Sequence, residues 1–210
     1  MKGIFIVLDG IDGAGRSTQA RKLGEYFKGL GYETVSIHEP TEDSEAGREI
    51  RRLLQSKEPS DPMELQKLFV ADRADHAHLI NKWRDEGKAV IFDRYIYSTI
   101  AFGSADAGNE HWNELAEMNA SFPRPDIAFI FTLSAEQAMQ RIESRGEDKE
   151  RFEKQDFLAQ AMAIFIRIAG ERSLYPETCL LYAVPDEDKV FEYIKFEVDR
   201  SLTNKKEKVS

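Results

Sequence analysis

Short apolar runs alternate along the chain with longer stretches in which apolar residues recur every three or four positions. The short runs are rich in β-branched and aromatic residues, which favours β-strands, and the longer period is typical of amphipathic helices. Their alternation predicts βα units that wind a parallel sheet flanked by helices. The predicted strands are residues 3–9, 33–38, 88–93, 127–133 and 178–183. The predicted helices are residues 16–30, 44–55, 61–86, 95–102, 135–144, 154–171 and 187–203.

No internal repeat and no linker rich in glycine, serine or proline divides this pattern. We therefore expect one α/β domain over residues 1–203 and a polar tail, residues 204–210, that frays. A length of 210 residues provides a substantial core without disulfides or a structural metal. The fold class that follows is a five-stranded parallel sheet flanked by helices.

Composition narrows the classes of function. Hydrophobic residues make up 41% and charged residues 32%, which is an ordinary globular balance. Cys179 is the only cysteine, so the chain forms no internal disulfide, and a reducing, cytoplasmic setting is expected. The net charge of −9 argues against binding long nucleic acids, and the apolar runs are too short to span a membrane. The run from residue 3 predicts a strand at the start, with no signal peptide.

A glycine-rich segment, GIDGAGRS at residues 10–17, follows the first predicted strand and opens the first predicted helix. This is the context of a phosphate-binding P-loop, in which glycines let backbone N–H groups converge on the anion and the helix N-terminus adds its dipole. The pattern predicts a P-loop NTPase of the three-layer sandwich class. The predicted ATP-binding residues are Gly10, Ile11, Asp12, Gly13, Ala14, Gly15, Arg16, Ser17 and Thr18.

Arg16 stands where this loop usually has lysine. Arginine keeps the positive charge, but its guanidinium is longer, planar and forked, whereas the lysine ammonium is a compact point charge. We expect Arg16 to bridge the β- and γ-phosphates with slower transfer than lysine would give.

The third predicted strand ends in Asp93-Arg94, at the edge where open α/β sheets bind ligands. Asp93 and the Ser17 hydroxyl are predicted to hold Mg²⁺, and Arg94 offers a bidentate fork to the phosphate of an acceptor. Asp12 is a further carboxylate beside the same phosphates. The four histidines are scattered, and we assign them no metal.

Five segments resemble the thymidylate kinase family. They are FIVLDGIDGAGRSTQ at 5–19, HEP at 38–40, LFVADRA at 68–74, DRYIYS at 93–98 and RGEDKERFE at 145–153. The resemblance extends to about Ala169 and implies transfer of a phosphoryl group from Mg-ATP to thymidine monophosphate, in a homodimer. It also implies that Phe69 stacks on the base, and that Arg73, one helical turn later, meets the base carbonyl. The substrate-binding residues it implies are Glu39, Pro40, Phe69, Arg73, Arg94, Ser98, Thr99 and Phe102.

The last of these segments resembles the lid of that family, at about residues 144–153. Arginines that a closing loop brings to the γ-phosphoryl group stabilise the charge of the transition state and help exclude water. The residues predicted to act in catalysis are Asp12, Arg16, Arg94, Arg145 and Arg151. Direct in-line transfer needs no covalent enzyme intermediate.

Three positions depart from the family pattern. Arg16 replaces lysine, His38 stands where arginine is common, and Phe102 stands where a tyrosine usually guards the ribose. Loss of that tyrosine hydroxyl leaves selectivity for deoxyribose open. Two alternatives therefore remain: a kinase for another pyrimidine nucleotide or nucleoside, and a weakly active nucleotide-binding paralogue.

Overall fold

The computed structural model describes residues 3–56, 59–146, 150–184 and 186–207, with side chains described up to Thr203. Its five strands form one sheet in the order β2-β3-β1-β4-β5, with every neighbouring pair parallel. The strands are β1 (Ile4–Gly10), β2 (Thr34–His38), β3 (Ala89–Asp93), β4 (Ile127–Thr132) and β5 (Thr178–Tyr182). The predicted parallel α/β sheet is confirmed, and each strand lies within a residue or two of its predicted position.

Nine α-helices of the described residues connect and cover the strands. They are α1 (Arg16–Gly29), α2 (Glu45–Gln55), α3 (Pro62–Ala77), α4 (Ile80–Asp85), α5 (Ile96–Ala107), α6 (Trp112–Met118), α7 (Ala135–Glu143), α8 (Gln155–Gly170) and α9 (Glu187–Glu207). None of the helices in these described ranges combines the length and the apolar character needed to cross a bilayer.

The helices differ from the prediction in four places. The predicted helix 61–86 is two helices, α3 and α4. A tight turn separates them, in which the Leu79 N–H donates to the His76 carbonyl, three residues earlier, at 3.0 Å. Helix α5 continues past residue 102 to Ala107, and α6 was not predicted. Helix α9 continues to Glu207, so the tail predicted to fray from residue 204 begins as helix, and residues 208–210 lie outside the described chain.

Alternate residues of the central strands face two separate cores. On one face, Phe5 and Phe92 pack with side chains of α5 and α8. On the other face, Ile6 and Phe129 pack with α1 and α9, including the fully buried Phe27. A strand covered on both faces has no polar side to show to solvent, which explains its unbroken apolar sequence.

Parallel pairing brings the carboxyl ends of the strands to one edge of the sheet. Leu8 is in register with Asp93, and His38 is in register with Asp93 on the other side of β3. The glycine-rich segment follows β1, between β3 and β4, where the chain connections diverge to the two sides of the sheet. The fold therefore places the predicted phosphate loop beside the predicted acidic pair.

Candidate active site

The glycine-rich loop bends sharply from β1 into α1. Gly10 and Gly13 adopt positive φ values of 145° and 76°, and a Cβ atom there would lie 2.6 Å from the Phe131 oxygen and 2.7 Å from the Ala138 oxygen. Only glycine satisfies both the dihedral and the close approach. The loop is therefore fixed by β4 and α7 as well as by its own sequence.

A cavity of about 980 Å³ opens beside this loop. Asp12, Arg16 and Ser17 line it with their side chains, whereas Ile11 and Ala14 are buried in the two cores. The other predicted ATP-binding residues do not line it: Gly10, Gly13, Gly15 and Thr18.

The Arg16 guanidinium is folded back into the loop. Its Nε donates to Asp93 Oδ1 at 2.9 Å, and its Nη1 donates to the carbonyl oxygens of Gly10 and, at 3.1 Å, Ile11. Burial would lower the pKa of Arg16, but the carboxylates of Asp93 and its neighbours raise it above the usual value. The arginine is thus held as a cation within the loop by a fork of contacts that a lysine could not make all at once.

Asp93 is contacted by donors from two elements, α1 and β2. Besides Arg16, it accepts from Ser17 Oγ at 2.6 Å, and His38 Nδ1 lies 3.2 Å from its Oδ2. Burial raises the pKa of Asp93, but Arg16 and then His38 and Ser17 outweigh that effect and hold it well below its usual range. A carboxylate kept ionised beside a hydroxyl is a set of hard oxygen donors, so Ser17 and Asp93 fit a Mg²⁺ ion.

Arg94 projects into the cavity from the end of β3. Its Nη2 donates to Asp12 Oδ1 at 2.5 Å, its Nη1 donates to Ser98 Oγ at 3.1 Å, and its guanidinium lies 5.0 Å from the centre of the Phe102 ring. Arg94 has a φ of 73°, a left-handed conformation that is costly for a residue other than glycine. This backbone conformation and the pairing with Asp12 together fix the fork at the junction with the phosphate loop.

Asp9 connects the phosphate loop to α5 and is a site residue that the sequence analysis did not single out. Its fully buried carboxylate accepts from Ser98 Oγ at 2.6 Å, from the Tyr95 and Ser98 backbone N–H groups, and from Gly10 N–H. Burial raises its pKa against the lowering effect of Arg16. Its position at the end of a predicted strand was the only signal in the sequence.

Part of the cavity wall is aromatic. Phe69 of α3 lines it, together with Phe102 and Thr99 of α5, as the sequence analysis expected, and Pro40 and Ser98 also lie on its wall. Gln66 and Arg51 lie on the same wall and were not predicted. A polar residue one turn from Phe69 was the only sequence signal for Gln66.

Two predicted substrate-binding residues are not brought to this wall. Arg73 is fully buried, and it donates to Glu39 Oε2 at 2.6 Å, to Thr99 Oγ1 at 3.1 Å and to Asn119. Glu39 is 1% exposed and also contacts His76 Nε2 at 2.9 Å. Their charges satisfy each other inside the protein because a buried ion must be paired. In this structure Arg73 therefore supports Thr99, and its predicted contact with a base stays a prediction.

The two arginines of the predicted lid lie in different places. Arg145 lines the cavity near Glu153, whereas Arg151 donates to Asp106 Oδ2 at 2.9 Å and to Ser60, away from the wall. In this structure the contacts of Arg151 anchor the segment, and its predicted role in catalysis stays a prediction. Residues 147–149 of the lid lie outside the described chain.

A P-loop beside a buried acid-base pair, opening into one cavity with aromatic residues on its wall, defines a P-loop kinase that acts on nucleotides. The family model of thymidylate kinase matches residues 8–194. Two similar proteins are the probable thymidylate kinase of Thermococcus kodakarensis, 37% identical over 91% of this chain and 95% of its own, and the thymidylate kinase of Desulfotalea psychrophila, 36% identical over 78% and 80%. The chain belongs to the thymidylate kinase family, as the sequence predicts.

The solved structures support the fold. A thymidylate kinase from Candida albicans superposes with a TM-score of 0.78 at 22% identity, covering 95% of this chain and 93% of its own. At this identity the likeness concerns the fold alone. The predicted P-loop NTPase architecture is confirmed.

Proposed function

We propose that this protein transfers the γ-phosphoryl group of ATP to thymidine monophosphate, with Mg²⁺, and so forms thymidine diphosphate. The observation that carries the proposal is the position of Arg94, which Asp12 of the phosphate loop holds beside the Phe102 ring in one cavity. An arginine fork at that junction fits the phosphate of an acceptor whose base lies toward Phe69.

The donor nucleotide belongs at the glycine-rich loop. Converging backbone N–H groups and the start of α1 favour its phosphates, while Ser17 and Asp93 would hold Mg²⁺. The metal would neutralise phosphate charge when bound. Arg16 already lies in the loop as a cation, and it reaches the β- and γ-phosphates by exchanging its carbonyl contacts for phosphate oxygens.

The acceptor nucleotide belongs in the rest of the cavity. Phe69 and Phe102 supply apolar faces for a base and a sugar, and Arg94 orients the phosphate toward the donor. The buried Arg73–Glu39 pair fixes Thr99 from behind. These contacts support the binding of donor and acceptor within one cavity, which gives the proximity that direct in-line transfer requires.

The lid would complete the charge clamp. Arg145 lines the cavity. Arg141 of α7, which precedes it by four residues, donates to the Gly13 carbonyl at 3.1 Å. Developing negative charge on the transferred group is stabilised by such fixed cations more strongly when water is excluded. Arg151 serves by holding the segment in place.

An alternative acceptor remains open because Phe102 carries no hydroxyl near the expected sugar position. A purely apolar ring there does not by itself reject a ribose, so a related pyrimidine nucleotide is a second candidate. Cytoplasmic location, the homodimer and the limits of the kinase domain at residues 1–203 remain predictions.

A coupled assay of nucleoside diphosphate formation tests the proposal. We expect turnover of dTMP with Mg-ATP, lower kcat/KM with dUMP and UMP, and none with thymidine, which lacks the phosphate that Arg94 binds. Chelation of Mg²⁺ with EDTA should abolish turnover, and restored Mg²⁺ should recover it. Binding of ATP and dTMP without product would favour the inactive paralogue, and a higher kcat/KM for UMP would favour the second acceptor.

A further inference from the structure

Gln66 of α3 has a buried side-chain donor that none of the described residues satisfies. Its side chain is 1% exposed and lies on the wall of the cavity, and its Nε2 atom has no hydrogen-bond partner among the described residues. Buried polar groups in folded proteins are nearly always paired, and an unpaired one costs about 1–3 kcal/mol. An unpaired donor on a cavity wall is therefore a candidate contact for a ligand.

Two other buried side-chain atoms of the described chain lack partners, namely Gln19 Oε1 and Ser104 Oγ. Neither residue lies on the cavity wall. Of these three residues, Gln66 alone lines the cavity.

Aromatic residues of the cavity wall lie near Gln66 in the fold. Gln66 is three residues before Phe69, so the two side chains are neighbours on one face of α3. Gly103 of α5 leaves room for the stem of Gln66, because a Cβ atom at Gly103 would lie only 2.9 Å from its Cγ. Thr99 and Phe102, on the preceding turn of α5, line the same part of the cavity.

We propose that Gln66 is a specificity-determining residue whose Nε2 donates a hydrogen bond to a ring carbonyl of the acceptor's pyrimidine base. A 4-oxo pyrimidine presents a carbonyl acceptor next to an N–H donor, and a carboxamide presents the complementary pair. A ring stacked on Phe69 brings its edge toward the neighbouring residue on the same helix face. This inference rests on the proposed function, and it adds a base contact to the phosphate contact of Arg94.

The variant Gln66→Met tests this role, because methionine keeps the length and flexibility of the side chain and removes the amide. Calorimetric titration of the free protein with dTMP should show a Kd about tenfold higher than that of the wild type. The Kd of Mg-ATP should stay within twofold. Thermal unfolding should show an equal or higher Tm for the variant, since an unsatisfied polar group has been removed from the interior.

Ser104→Ala is the matched control. It also removes an unpaired buried polar atom, but from a residue that does not line the cavity, so it should leave the Kd of dTMP unchanged. A second control is the ligand 2′-deoxyribose 5′-phosphate, which lacks the base. Its inhibition constant should be the same for wild type and Gln66→Met.

The outcomes separate the inference from the proposed function. Failure of the wild type to bind dTMP overturns both. Normal binding by the wild type with an unchanged Kd in Gln66→Met overturns the role of Gln66 alone. A variant that binds deoxyribose phosphate more weakly too, or that unfolds at a lower temperature, shows a structural role for Gln66 and likewise overturns the inference.

Discussion

At the scale of single residues, the site depends on which buried charges are paired and how. Burial raises the pKa of Asp12, but Arg94, Arg16 and Arg145 lower it below the usual value, so Asp12 remains a carboxylate that can hold Arg94. Arg16 is the residue whose chemistry departs most from the usual loop. Its planar guanidinium contacts Asp93 and two loop carbonyls together. These contacts hold the cation in the loop more firmly than a lysine ammonium could be held.

Replacing Arg16 by lysine should raise the kcat of phosphoryl transfer, because a compact ammonium exchanges loop carbonyls for phosphate oxygens with less rearrangement. Removing the charge in Arg16→Gln should lower kcat by about 100- to 1000-fold. Steady-state kinetics with saturating dTMP measures both. A large loss of activity in Arg16→Lys would contradict the idea that arginine is slower than lysine at this position.

Removing the charge of Asp12 should disturb the acceptor rather than the donor. In Asp12→Asn, Arg94 loses a charge-assisted hydrogen bond, so the KM of dTMP should rise about 10-fold or more. Initial-rate measurements at varied dTMP give this value, with Asp85→Asn on the exposed surface of α4 as the control. An unchanged KM for dTMP with a raised KM for ATP would assign Asp12 to the donor instead.

At the scale of elements, the cavity is assembled from helices that are fastened to the sheet and to one another. Asp9 of β1 binds the first turn of α5, and α5 in turn carries Asp106, which holds Arg151 of the lid segment. The lid backbone also donates from Arg151 N–H to the Leu54 carbonyl of α2 at 2.9 Å. Displacement of one helix would therefore also shift the other elements that line the cavity.

The pair Arg151–Asp106 distinguishes an anchor from a catalytic residue. If Arg151 acts as an anchor, then Arg151→Ala, Asp106→Ala and the double variant should all lower kcat/KM for ATP by a similar factor, because each breaks the same contact. Steady-state kinetics on the three variants gives the comparison. A loss of about 100-fold or more in Arg151→Ala with little effect in Asp106→Ala would instead restore the catalytic role.

At the scale of the whole molecule, stability comes from a sheet that is covered on both faces. Phe129 of β4 is fully buried in the core formed with α1 and α9, while Tyr182 at the end of the edge strand β5 is 76% exposed. These two aromatic residues lie on neighbouring strands but differ in burial. Truncating each of them therefore measures how much burial contributes to the free energy of unfolding.

Truncation of the buried ring in Phe129→Ala should lower the free energy of unfolding by about 3–5 kcal/mol. Tyr182→Ala should change it by less than about 0.5 kcal/mol. Denaturant unfolding followed by circular dichroism measures both values. Equal losses in the two variants would mean that Tyr182 is covered in solution, for instance by another copy of the chain.

Patterns that are local in sequence predicted the fold well. Each strand and the loop that follows it could be recognised because alternation, glycine spacing and the switch to helical period are properties of neighbouring residues. The boundary at residues 78–79 and helix α6 were missed because helix ends there depend on what packs against them. His76, for example, is held by Glu39, which is 37 residues away in the chain.

The sequence by itself determined the parallel sheet, the phosphate loop and the acid-base pair at the end of β3, since each depends on a run of adjacent residues. Tertiary structure decided which polar residues face the cavity. Arg73 is held away from the cavity by Asn119, 46 residues away, and Arg151 by Ser60, 91 residues away. Gln66 lines the cavity, and its Nε2 has no partner among the described residues. The physical reason is that the partner of a buried charge is chosen by the packing of distant segments, which spacing along the chain does not encode.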